Sequence, residues 1–198
     1  MANTNKNGKS FTKNLTMVAI LTAITVVLQI VALVSRPFLP FSITLSLFPI
    51  VIGAALCGPV TSSWLGFVFG VTVLLSGDAA AFLTVNIPGT IITVLAKGTL
   101  AGLAAGLIYK LASKVNGYFG VFCSAVAAPV VNTGVFLLGC KLFFMDTITS
   151  WAEAAGSPNV GSYIILSFVG INFLIELGVN MVCSPIILRL INIRKKEG

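Results

Sequence analysis

The run from Asn86 to Tyr109 limits what this chain can become. It is apolar and long enough to cross a bilayer as a helix, which takes about 20 residues. Yet Lys97 lies near its middle. A lysine at that depth costs roughly 2.5–3.5 kcal/mol even on a lenient insertion scale, so it must face protein or a water-filled cavity. Thr93, Thr90 and Asn86 precede it in steps of four, three and four, which place all four polar groups on one stripe. The C-terminal half differs. Ala101, Gly102, Ala105 and Gly106 form a small-residue face suited to close approach of another helix. One half therefore reads as a binding wall and the other as a packing surface.

The rest of the chain belongs to the same solvent. Of its 198 residues 57% are hydrophobic and 9% charged, against about 25% charged in a soluble domain. The expected fold is all-α: a polytopic membrane domain over residues 15–191, with short tails at 1–14 and 192–198. The net charge of +7 does not point to nucleic acid, because the basic residues stand at segment ends, where membrane topology requires them. No histidine is present, which removes the commonest metal ligand and general base. The four cysteines are scattered through apolar runs without a C-x-x-C and read as small buried hydrophobes. No HExxH, GxSxG or Walker motif occurs. Neither an enzyme nor a metal or cofactor site is expected, and the chain does not itself hydrolyse ATP.

Six spans follow from the apolar runs: Leu15 to Val34, Ile43 to Gly58, Thr61 to Ser76, Asn86 to Tyr109, Gly117 to Phe144 and Tyr163 to Leu190. The first run lacks an A-x-A-like cleavage site and reads as a retained span. Pro49 interrupts the second, and the short second and third spans are expected to tilt, kink or cross only part of the membrane. Gly66 and Gly70 give a helix-contact G-x-x-x-G on the third. Between the fifth and sixth spans a polar loop, Asp146 to Gly161, carries Trp151 as an interface anchor. An even number of spans puts both termini on one side. That side holds nine lysines and arginines, against Arg36 and Lys141 on the other, so both termini are expected in the cytoplasm.

With that topology the fourth helix descends from the outer surface to mid-membrane through Asn86, Thr90, Thr93 and Lys97. Asn172 and Glu176 descend likewise on the sixth, and Asn132 reaches mid-depth on the fifth. Three helices thus offer polar groups to the outer half of one bundle, which describes a pocket open to the outside. Lys97 suits a carboxylate or phosphate, the asparagines suit amide and hydroxyl groups, and Glu176 accepts from N–H or O–H groups. Two bland alternatives stand beside this: Lys97 paired internally with Glu176, and Asn132 and Asn172 bonded between helices. Asn180 lies deeper and reads as structural. The proline-broken loop Arg36-Pro-Phe-Leu-Pro-Phe41 offers Phe38, Leu39 and Phe41 on the pocket's side, either as interfacial anchors or as a lid.

Several features together resemble the substrate-binding S-component of an energy-coupling factor (ECF) vitamin transporter, over nearly the whole chain. They are the size, the six spans, Ala19-Ile-Leu-Thr-Ala23 on the first, the run Leu47 to Pro59 with its Gly-Pro turn, Trp64 to Gly70, and Leu100 to Tyr109. The resemblance implies capture of a vitamin from outside and docking through Ala19 and Ala23 onto a transmembrane coupling subunit carried by two cytoplasmic ATPases. It also implies a gating role for the loop from Arg36 to Ser42. One lysine among several amides fits a small acid with hydroxyl and amide groups, and the chain looks closest to the pantothenate/riboflavin-like branch. Pantothenate is the expected substrate, with riboflavin or biotin as alternatives. A stand-alone transporter or channel subunit for a small anion, and a membrane assembly protein, are the rival classes.

Overall fold

The computed structural model describes residues 2–35 and 45–196; the side chains of residues 2–11, 35, 168, 171, 172 and 194–196 lie outside that description. Within it every regular element is helical. Helix α1 (Ala2–Ser35) begins inside the polar tail. The others are α2 (Leu47–Cys57), α3 (Pro59–Leu75), α4 (Ala80–Leu83), α5 (Ile87–Ala112), α6 (Gly117–Phe143), α7 (Met145–Ala154), α8 (Val160–Ile164) and α9 (Gly170–Lys196). Four helical stretches are long and apolar enough to cross a bilayer: Thr12–Val34, Ile87–Ala112, Gly117–Phe143 and Phe173–Ile193. They make this an all-α polytopic membrane protein.

Helix α2 departs from the expected second span. It has 11 residues, about 16 Å of rise, roughly half the ~30 Å hydrocarbon thickness. Pro49 does not interrupt it. Leu47 is the first helical residue, so Pro49 falls in the first turn, where its missing N–H has no intrahelical partner to lose. The helix is apolar all round and accordingly buried: Leu47, Ile50 and Val51 are fully enclosed, packed with α1, α3, α5, α6 and α9. Gly58, at φ 90°, turns the chain sharply into α3, with Pro59 at its start.

Close backbone contact joins α3 to α5. A methyl group on Gly98 would strike the Gly66 carbonyl, one on Gly102 the Ser62 carbonyl, and one on Gly70 the Val94 carbonyl at 2.9 Å. The two helices are thus antiparallel and in register, Gly66 beside Gly98 and Gly70 beside Val94. Gly53 of α2 faces Leu65 of α3, and counting back through the Gly58 turn sets Leu47 near the level of Gly70 and Val94. Helix α2 therefore fills one half of the bundle's core and stops.

Two further elements differ from expectation. The loop after α6 contains α7, because Met145, Ile148 and Ala152 recur at helical spacing among polar residues; Ile148 and Ala152 are buried. Trp151, partly buried, packs against Phe82, their rings 5.7 Å apart. The last span is also not one regular helix. A π-helical segment, Ile165–Val169, joins α8 to α9 through Gly170, whose φ of −12° and ψ of −111° break the helical path.

Candidate substrate site

Above the end of α2 the bundle holds a cavity of about 330 Å³, within the ~300–1,000 Å³ range of small-molecule pockets. No α2 residue lines it; the half-length helix leaves the space open. Its walls are the C-terminal end of α3, α4, the first half of α5, the second half of α6, the π-helical segment and the start of α9. All of these lie at one end of the bundle.

Five of the polar residues singled out in the sequence meet there: Thr90, Thr93 and Lys97 from α5, Asn132 from α6 and Glu176 from α9. Helical periodicity aligns the first three, and Pro88 in the first turn of α5 starts that helix cleanly. Thr90 donates its hydroxyl to the Asn86 carbonyl at 2.8 Å. Thr93 Oγ1 and Asn132 Oδ1 are buried with no hydrogen-bond partner, a state that costs about 1–3 kcal/mol per group when it persists without water or ligand. The Lys97 ammonium stands 5.1 Å from the centre of the Phe136 ring, a cation–π contact. Glu176 lines the same cavity. The Lys97 amine, two unspent polar oxygens and a carboxyl group therefore line one half-open cavity.

Asn86 has another task. Its side chain caps α5 by accepting from the Gly89 N–H at 3.0 Å, and it does not line the cavity. Asn172 lies on α9 with its side chain outside the described residues, as do Phe38, Leu39 and Phe41 entirely. Asn180 donates to the Glu176 carbonyl at 2.8 Å, within its own helix. Ala19 and Ala23 are exposed on α1, beside exposed Ile20, Ile24 and Val27.

Two cavity groups escaped the sequence reading. One is Asp78, three residues past the end of α3, which reads by position as a topological surface charge but lines the cavity. The other is an aromatic cover centred on Phe82 of α4. Its ring meets those of Phe136, Phe144 and Trp151 edge-on at 5.6, 5.0 and 5.7 Å. No periodicity marks a four-residue helix, so nothing local signalled it.

Residues 13–188 match the family model described as ECF transporter, substrate-specific component. The chain belongs to this family. Comparisons with curated proteins and with solved structures gave no match. As a substrate-specific component it is a membrane transport subunit, and family membership implies a small-molecule substrate and ECF transmembrane and ATPase partners.

Proposed function

We propose that this S-component captures a small, water-soluble vitamin, pantothenate as the best candidate, in the cavity between α3, α5, α6 and α9. It hands the vitamin to a coupling subunit driven by two ATPases. The observation that carries the reading is the pair of buried, unpartnered oxygens, Thr93 Oγ1 and Asn132 Oδ1, beside Lys97 in one half-open cavity. In this scheme Lys97 holds the acid's carboxylate. Thr93 and Asn132 accept from its hydroxyl or amide groups, and Glu176 lines the cavity with them.

The distribution of lysine and arginine supports a topology with both termini in the cytoplasm, which would set the cavity in the outer half of the membrane. The exposed Ala19/Ala23 face of α1 is the proposed docking surface for the coupling subunit, small residues permitting close helix approach. The loop from Arg36 to Ser42 is the proposed gate.

Mass spectrometry of small molecules carried by the detergent-purified protein, from cells fed mixed B vitamins, tests the capture reading. A stoichiometric vitamin, lost in Lys97→Ala with the fold intact, is the expected result. Transport by this chain alone in proteoliposomes, without ATPases, would instead establish the stand-alone class.

A further inference from the structure

Among the described residues, the cavity's lining carries one cation, Lys97, and two carboxylates, Glu176 and Asp78. Asp78 lies four residues before Phe82, the centre of the aromatic cover, and lines the cavity with it. Lys97 reaches Phe136 at 5.1 Å and Phe136 reaches Phe82 at 5.6 Å, so the ammonium lies within about 11 Å of the Phe82 ring, just beyond Asp78 in the chain.

Asp78 is also held in place from a distance. Gln29 of α1, 2% exposed, donates Nε2 to Asp78 Oδ2 at 3.0 Å. Ser46, fully buried before α2, donates its hydroxyl to Gln29 Oε1 at 2.9 Å. An amide whose oxygen already accepts from a hydroxyl must point its N–H group the other way, so Ser46 orients Gln29 and Gln29 orients Asp78. Two buried polar side chains from separate elements are thus committed to aiming one carboxylate that lines the cavity. A carboxylate needed only as an outward topology marker requires neither.

We infer that Asp78, positioned by Gln29 and Ser46, is a second pole of the substrate site and accepts from hydroxyl, amide or ammonium donors at the end of the solute opposite Lys97. The inference rests on the proposed substrate site and narrows its chemistry. The solute is a small monoacid whose anionic end meets Lys97 and whose donor-bearing end meets Asp78. A second anionic group at that end, such as a phosphate ester, is repelled by Asp78.

Isothermal titration of the purified protein with three probes separates the poles. The probes are pantothenate, panthenol (carboxylate replaced by a hydroxymethyl group) and an N-acyl-β-alanine of the same skeleton lacking both hydroxyls. In the unmodified protein each analogue binds about ten- to a hundred-fold more weakly than pantothenate, the size of one charge-assisted hydrogen bond. Asp78→Asn brings the hydroxyl-dependent ratio close to one and leaves the carboxylate-dependent ratio unchanged; Lys97→Gln does the reverse. Gln29→Met and Ser46→Ala lower only the hydroxyl-dependent ratio, by a smaller factor, and carry the test if Asp78→Asn does not fold. An unchanged hydroxyl-dependent ratio in the Asp78 variant, or in both positioning variants, overturns the second pole. If Lys97→Gln still abolishes carboxylate discrimination, the site reading survives that failure. An unmodified protein that binds none of the three probes overturns the second pole and pantothenate as the substrate, while a different vitamin carried by the purified protein would still uphold the capture reading.

Discussion

Substituting Gly98 by alanine tests the seam that sets Lys97 against the rest of the site. The new methyl would lie inside contact distance of the Gly66 carbonyl oxygen and 3.2 Å from Cδ1 of Phe69. The obstructing oxygen is main-chain on a packed helix, so no side-chain rotation relieves it, and α3 must move away from α5. That movement also opens the Ser62–Gly102 and Gly70–Val94 approaches, because all three lie on one seam. Overpacking of this kind costs about 1–3 kcal/mol, and the upper end applies because backbone meets backbone. Replacing a helical glycine by alanine returns up to about 1 kcal/mol. The net expectation is a loss of about 2 kcal/mol. Gly134→Ala on α6 is the matched control. Nothing lies within 4 Å of a methyl there, so only the gain of up to about 1 kcal/mol remains. Thermal unfolding in detergent reads the pair. At about 2–4 °C per kcal/mol for a chain of this size, Gly98→Ala falls by about 4–8 °C and Gly134→Ala rises by up to about 4 °C. A Gly98→Ala protein as stable as its parent would refute the close seam and the register derived from it.

Other expectations follow from the same geometry. Gly139→Ala pushes the Thr93 side chain, which packs directly on Gly139. Ligand affinity should fall about tenfold, the size of one displaced hydrogen bond, and unfolding temperature should fall as well, because the Cβ of Thr93 is itself within the clash and cannot rotate away; equal affinity in titration would remove Thr93 from the site. Phe82→Ala removes three edge-on ring contacts, each worth about 0.5–1.5 kcal/mol. Bound vitamin should then exchange at least tenfold faster in a radiolabel chase, and an unchanged rate would mean that the aromatic cluster does not cover the cavity. Ala19→Trp and Ala23→Trp should abolish co-purification with the coupling subunit while vitamin binding persists, since a large ring prevents close helix approach. Retained co-purification places the docking face elsewhere.

Much of the architecture is written locally. A run of apolar residues crosses a membrane because of its own composition, so the long spans could be read without knowing their neighbours. The stripe Thr90, Thr93, Lys97 was equally legible, because a helix repeats every 3.6 residues whatever it packs against. The small-residue face of α5 announced a close partner; that α3 is the partner, and in which register, needed the packed bundle. The half-length α2 was only partly visible: Pro49 looked like a break, but the helix start decided its meaning. Asn86 sat on the polar stripe, yet the start of α5 claimed it as a cap, a competition that periodicity does not register.

Tertiary structure alone decided which polar groups share a volume. Asp78 joins the cavity through Gln29, 49 residues earlier in the chain, and Phe82 gathers rings from α6 and α7. Such contacts depend on how separate helices dock, and docking depends on the summed shape of many side chains rather than on any residue's neighbours in sequence. The sequence by itself therefore determined the spans, the polar stripe and the membrane as solvent. The tertiary structure decided that α2 stops short, that a cavity opens above it, and that Asp78 lines that cavity together with Lys97.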